Sequence, residues 1–257
     1  MNVFGHYARY YDLLYKDKDY QGEADFLSSL VKEHFPDARS ILELGCGTGI
    51  HAHLLVEAGF ELHGIDNSTD MLEKAQSRLN DMRPELAAQL SFSRGDVRTF
   101  AINKKFDVIL SLFHVLSYQI TNEDLLATME TVKKHLKPGG IFIFDCWYGP
   151  AVLTDRPVVR VKRLEDEAIA VTRIAEPVIH PNSNVVDVNY HVIIREKDSD
   201  KIHELRETHR MRYLFKPELE CYLSSKGMHV EKFVEWVTCK EPGFNTWGVC
   251  FIARNTC

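Results

Sequence analysis

The chain has 257 residues, 45% of them apolar and 26% charged, with a formal charge of −6. A chain of this size buries one substantial core, and its acidity without a long basic run argues against extended contact with a nucleic-acid backbone. Its six cysteines lack CxxC pairing, which fits reduced thiols rather than disulfides or zinc, and neither a signal core nor an apolar run of about 18 residues is present. The expectation is a cytoplasmic protein with no membrane contact.

In chain order, Ala24, Leu27, Leu30, Val31 and Phe35 fall at helical spacing, predicting an amphipathic helix over 20–35 that ends at Pro36. Strands are predicted at 41–44, 61–65, 90–92 and 106–112, with helices at 51–58, 71–79 and 125–135 between or after them. The turn Lys137-Pro138-Gly139-Gly140 then feeds a fifth strand at 141–144. This alternation implies an α/β fold with a parallel sheet, helices on both faces, and ligands bound beyond the strands' carboxyl ends.

After Asp145 the pattern changes. Long β-rich runs from 158 to 215, broken at Pro181-Asn182-Ser183-Asn184 and Asp198-Ser199-Asp200, predict antiparallel hairpins forming a partly exposed sheet. A helix at 216–226, capped by Gly227, and strands at 229–237 and 249–253 close the chain. The expected organisation is a core of 1–150 and 215–257 with an N-terminal lid, carrying a substrate-side insertion at 151–214.

The sharpest local signal is ILELGCGTG at 41–49. A strand that runs into glycines before a helix leaves backbone N–H groups uncovered for a polar ligand. The spacing Gly45, Gly47, Gly49 differs from the GxGxxG of dinucleotide sites, and Glu43 would repel a pyrophosphate while accepting hydrogen bonds from an ammonium group. A cationic, adenosine-containing ligand fits this pattern. Asp66, at the end of the second strand, is placed either to accept both hydroxyls of a ribose or to cap the next helix in competition with Asn67, Ser68 and Thr69. Asp96 and the Val97 N–H follow the third strand, where an adenine edge would lie, or else form a simple turn. Leu112 is an apolar wall beneath that base, or ordinary core. Cys46 reads as a small residue filling the loop.

Together ELGCGTG, GID, GDV and LKPGG resemble the class I S-adenosylmethionine-dependent methyltransferases. The resemblance implies a Rossmann-like, mostly parallel seven-stranded sheet with a final antiparallel strand, and S-adenosyl-L-methionine as cofactor. Its contacts would be Glu43, Gly45, Asp66, Met71, Asp96, Val97 and Leu112. The YYDLLYKDKDY segment, the inserted hairpins and the terminal NTWGVCFIA are similar to a narrower group, the N,N-dimethyltransferases of nucleotide-linked amino sugars. That likeness implies Tyr11 and Tyr20 closing over the cofactor and Tyr118 as a polar ring near a small-molecule substrate.

A sulfonium methyl is already electrophilic, so such a protein mainly holds a nucleophile in line with it. His114 has a suitable intrinsic basicity for accepting a proton, and Ser117 and Tyr118 lie close by in sequence. Trp147 and Tyr148 after strand five, Trp247 near the last strand, and Arg173, His209 and Arg210 in the insertion are candidate substrate contacts. An arginine grips phosphate with two parallel hydrogen bonds, which suits a nucleotide-sugar diphosphate, and Arg173 or Arg210, not both, is expected to do so. No metal site is expected, since HxxxH and HExxH are absent and His51 and His53 point different ways on a helix. Oxygen or another small metabolite as acceptor, a noncatalytic cofactor-binding protein, and assembly as a homo-oligomer are all compatible with the sequence.

Overall fold

The computed structural model describes residues 13–256. Seven strands form one sheet, in the order Met228–Glu235, Gly248–Asn255, Leu136–Trp147, Phe106–Ser111, Ser40–Leu44, Glu61–Asp66 and Leu90–Arg94. They are β1 Ser40–Leu44, β2 Glu61–Asp66, β3 Leu90–Arg94, β4 Phe106–Ser111, β5 Leu136–Trp147, β10 Met228–Glu235 and β11 Gly248–Asn255. Neighbours run parallel except around β11, which is antiparallel to both β5 and β10.

Central strands covered on both faces need near-continuous apolar runs, and β1 and β4 are buried at every position. Strand alternation sorts their side chains. Ile41, Val108 and Leu110 pack under the helices Tyr20–His34 and Ile50–Glu57 through Leu27, Leu30, Val31, Leu55 and Val56. Leu42, Leu44 and Ile109 meet Leu125, Met129, Val132, Leu219 and Leu223 of the helices Asn122–His135 and Lys216–Ser225 on the other face.

The LKPGG segment departs from the sequence expectation. Instead of a turn before the strand, β5 begins at Leu136, and its register with β4 jumps from Phe106↔Leu136 to Val108↔Ile141. Residues 137–140 are therefore a bulge inside the strand, with Gly139 at φ +73°. The helix ends already beside β4, so the chain pairs at once and absorbs the surplus residues as a bulge.

The insertion follows a short helix, Gly149–Thr154, and forms a separate four-stranded antiparallel meander. Its strands are β6 Arg160–Glu165, β7 Ile169–His180, β8 Val185–Glu196 and β9 Ile202–Arg212. Both predicted turns are present, with Asn184 and Asp200 in the left-handed conformation their type tolerates. One face of the meander packs through Val171, Val192 and Ile194 on Leu14 and Met71, and through Val186, Val188 and Met211 on Val152 and Tyr213. This seats it over the carboxyl ends of the core strands. Among the described residues, the cysteines are unpaired and no helix is long and apolar enough to cross a membrane.

A Cβ at Gly140 would stand 2.8 Å from the Asp107 backbone oxygen on the adjacent strand. Backbone cannot yield there as a side chain can. Gly140→Ala is expected to lower stability by about 1–3 kcal/mol, read as a lower urea midpoint with unchanged slope.

Candidate functional site

The loop after β1 is built by backbone. Gly45, Gly47 and Gly49 all have φ between +55° and +75°, which favours glycine. Gly45 N–H and Cys46 N–H both donate to the Ile65 carbonyl, at 2.8 and 2.9 Å, tying the loop to the end of β2. One residue on, Asp66 accepts from Gly47 N–H at 2.9 Å and from Ser68 N–H at 2.8 Å. Ser68 itself caps the helix Thr69–Arg78 by accepting Met71 N–H. The helix cap is thus Ser68, and Asp66 serves the loop. A Cβ at Gly45 would meet Val115 Cγ2 at 2.5 Å, whereas nothing stands within 4 Å of one at Gly47. Cys46 is buried, and burial pushes its thiol well up, so it fills space rather than reacting.

A cavity of about 390 Å³ opens beyond these strand ends. Tyr20, Glu43, Gly45, Asp66, Met71, Asp96, Val97 and Leu112 all line it, and so does Tyr15. Tyr11 lies outside the described residues. Glu43 is 1% exposed, and its Oε2 is buried without a hydrogen-bond partner. Burial, reinforced by the Asp66 carboxylate, pushes its pKa up to about 8. Burial also raises Asp66, against the pull of its backbone N–H bonds. Asp96 is lowered instead, because Arg98 grips both its oxygens at 2.9 and 2.6 Å and reaches Asp124 with its remaining nitrogen. That clamp was not foreseen from sequence.

After β4 the backbone is strained, with Phe113 at φ +61° and His114 at +63°. Asp145, 1% exposed at the end of β5, holds this corner by accepting the His114 N–H at 3.0 and 3.1 Å. Its Oδ2 also lies 2.7 Å from His114 Nδ1, close enough for an ion pair but off the line of a hydrogen bond. Ser117 is fully buried and accepts Trp147 N–H, a structural role rather than one facing a substrate. The Tyr118 hydroxyl lies 2.6 Å from His209 Nδ1, joining the core to the insertion.

A second cavity, about 870 Å³, adjoins the first and shares His114, Trp147, Val188 and Tyr190 with it. Arg173 and Trp247 line this second space, while His209 lines the first. Trp247 packs edge-on to Trp147 at 5.7 Å and donates from Nε1 to Asp155. Two expected substrate contacts line neither cavity, for one reason. Tyr148 and Arg210 follow Trp147 and His209 directly, and strand alternation turns them to the opposite face. Tyr148 packs on Phe233, and Arg210 is an exposed partner of Asp187. The residues the sequence reading missed are Asp145 and the cations Arg160 and Lys162, which line the second cavity beside Arg173.

A family profile described as a methyltransferase domain matches residues 41–140. The chain is 29% identical over 228 residues to the dTDP-3-amino-3,4,6-trideoxy-alpha-D-glucopyranose N,N-dimethyltransferase of Streptomyces venezuelae, covering 88% of this chain and 91% of that one. It is 28% identical over 229 residues to the dTDP-3-amino-3,6-dideoxy-alpha-D-glucopyranose N,N-dimethyltransferase of Streptomyces fradiae, covering 88% and 85%. The crystal structure of Streptomyces venezuelae DesVI superposes with a TM-score of 0.79 at 26% identity, over 96% of this chain and 97% of that one.

Glu43 gives the ligand-free protein a specific pH dependence. A carboxyl whose folded pKa is raised from 4.5 to about 8 favours the fold below pH 4.5, and that contribution is lost as pH rises to about 8. Glu43→Gln removes this term. The variant is expected to gain on the wild type by about 3–4 kcal/mol between pH 5 and 8, measured as the difference in denaturation midpoints.

Proposed function

Because the chain belongs to the class I S-adenosylmethionine-dependent methyltransferases, we propose that it methylates the amine of a small molecule, a nucleotide-linked amino sugar. S-adenosyl-L-methionine is the methyl donor of this family, and it supplies a methyl group already activated on a cationic sulfur.

The residues present fit that cofactor. A buried carboxylate oxygen of Glu43 lacks a partner and awaits a cationic hydrogen-bond donor, as the methionine ammonium would provide. Gly47 leaves open the space a side chain would fill, so a ligand can approach the loop backbone. Asp66 retains lone pairs for ribose hydroxyls beside its two backbone donors, and Asp96, Val97 and Leu112 line the same cavity as the candidate adenine contacts. Tyr15 and Tyr20 also line this cavity and are the aromatic candidates for contact with a positive centre. His114 stands where the two cavities meet, with Tyr118 lining the first, and both are the candidate groups for handling the acceptor's proton.

The observation that carries the acceptor class is the second cavity. Its wall contains Arg160, Lys162 and Arg173. The register pairs Lys162 with Arg173 and Arg160 with Ala175, so the three cations share one face of the meander. The acids Asp155 and Glu235 lie elsewhere on the lining. A cationic stripe in a space of this size, continuous with the cofactor cavity through Trp147 and His114, suits a sugar diphosphate whose amine enters the first cavity. Residues 151–214 then act as the substrate-side part of the molecule, and 1–150 with 215–257 as the cofactor-binding core. The amino-sugar activity of the two curated relatives supports the same reading.

The test supplies a nucleotide-diphosphate amino sugar, the same sugar without the nucleotide, and hydroxyl analogues, and locates the new methyl by mass spectrometry. Methylation at nitrogen, at least about 10-fold more efficient with the diphosphate present, is expected. Methylation at oxygen, or indifference to the diphosphate, would refute the assignment. Arg173→Ala should raise the acceptor KM roughly 10-fold or more while kcat changes little, since a charge-assisted contact made before and during reaction is lost. Cofactor binding adds a further check. A bound cation ionises Glu43, so affinity should rise with pH up to about 8 and binding at pH 7 should release protons, measured by calorimetry in buffers of different ionisation enthalpy.

A further inference from the structure

The insertion delivers a buried histidine to the cofactor cavity with a buried acid behind it. His209 is 5% exposed, and Glu207, two residues back on β9, therefore shares its face, with 7% of its side chain accessible. The register sets Glu207 opposite Tyr190 and His209 opposite Val188 on β8. His209 Nδ1 meets the Tyr118 hydroxyl at 2.6 Å, and its Nε2 lies 3.6 Å from Glu207 Oε2. That carboxylate oxygen is buried with no hydrogen-bond partner.

We propose that Tyr118, His209 and Glu207 form a proton-exit path from the methyl-acceptor nitrogen, with Glu207 the positioning residue that holds the charge arriving on His209. The proposal rests on the amine-methylation reading above. Burial keeps the Tyr118 phenol well above its ordinary pKa, so it holds its proton, and the relay has it donate that proton toward Nδ1. His209 then carries its proton on Nε2, facing Glu207. An acceptor amine arriving as ammonium has no lone pair to offer. In the transfer, an N–H bond of the ammonium breaks and an O–H bond forms at Tyr118. The Tyr118 proton passes to Nδ1 at the same time, and the electron pair stays on the acceptor nitrogen. The resulting imidazolium faces a carboxylate at 3.6 Å.

A buried carboxylate oxygen without a partner is unfavourable in the resting protein, and a cation forming beside it offsets that penalty. The other polar groups around this pair are Tyr190 from β8, 5.0 Å from the His209 ring, and Arg173 from β7, stacked over Tyr190 at 4.8 Å. Tyr15 from the N-terminal segment and Asp66 from the end of β2 act on the Tyr118 end of the path. Among the described residues Arg173 is the cation of this group, and the Tyr190 ring lies against both it and His209.

Two measurements test the relay. In ligand-free protein, nitrogen-15 NMR of the imidazoles should show His209 as the Nε2–H tautomer, and Tyr118→Phe should shift its Nδ1 signal. The reverse tautomer overturns the path. In the wild type and Glu207→Gln, the pH profile of kcat/KM is measured with an amine acceptor. The variant should lose about 10-fold or more of the plateau, with its acid limb displaced to lower pH, while cofactor affinity stays within about twofold. A wild type that methylates amines alongside a variant with an undisplaced profile overturns the relay alone. A wild type that methylates no amine overturns the acceptor assignment and takes the relay's role with it.

Discussion

One carbonyl organises this molecule. Ile65 accepts the N–H groups of both Gly45 and Cys46, so the turn leaving β1 is stitched to the end of β2. The stitch depends on left-handed glycines, since a residue with a Cβ would resist the conformation and collide with Val115 at Gly45. It also forces Glu43 and Asp66 into one pocket, where burial raises both carboxyls and the Asp66 charge adds to the rise at Glu43. Two acids held this way are costly in the empty protein. A cationic ligand with hydroxyl donors relieves that cost, and binding strength follows from the relief as much as from new contacts.

The same logic of stored unfavourable energy recurs at the corner after β4. Phe113 and His114 adopt backbone angles that L residues avoid, and the buried Asp145 carboxylate accepts the His114 N–H that this conformation presents. The Phe113 ring is packed edge-on by Tyr15 and lies under the Lys18 ammonium. Lys18 in turn pairs with Glu23, whose carboxyl its neighbours hold down at about 2 despite burial. The N-terminal segment, the corner and the helix Tyr20–His34 are thereby coupled at the mouth of the first cavity.

Much of the fold was legible because its signals are local. The glycine spacing, the strand-terminal acids and the change from alternating helices and strands to long β runs all sit within short windows. The helix expected over 125–135, which spans Asn122–His135, and the turns at Asn184 and Asp200 were readable for the same reason. What escaped depends on phase and on distant pairing. Nothing near Tyr148 or Arg210 tells which face of a strand each takes, because the register with a partner strand decides it. Asp145 reads as a strand end until its contact with His114, 31 residues earlier, is seen. The Arg98 clamp on Asp96 needs Asp124 from another helix to hold it in place. Glu207 looks like one more surface charge in a β-rich run until the meander folds against the core.

The meander also has an end to manage. Strand β6 lies at its margin and reads RVKRLE, with four ionised side chains in six residues. Cations from this strand that line the second cavity also crowd the open row of backbone donors and acceptors, and a second chain seeking to pair there would have to strip water from them. One short segment thus charges the cavity wall and guards the sheet edge together, and neutralising it would expose the protein to edge-to-edge aggregation.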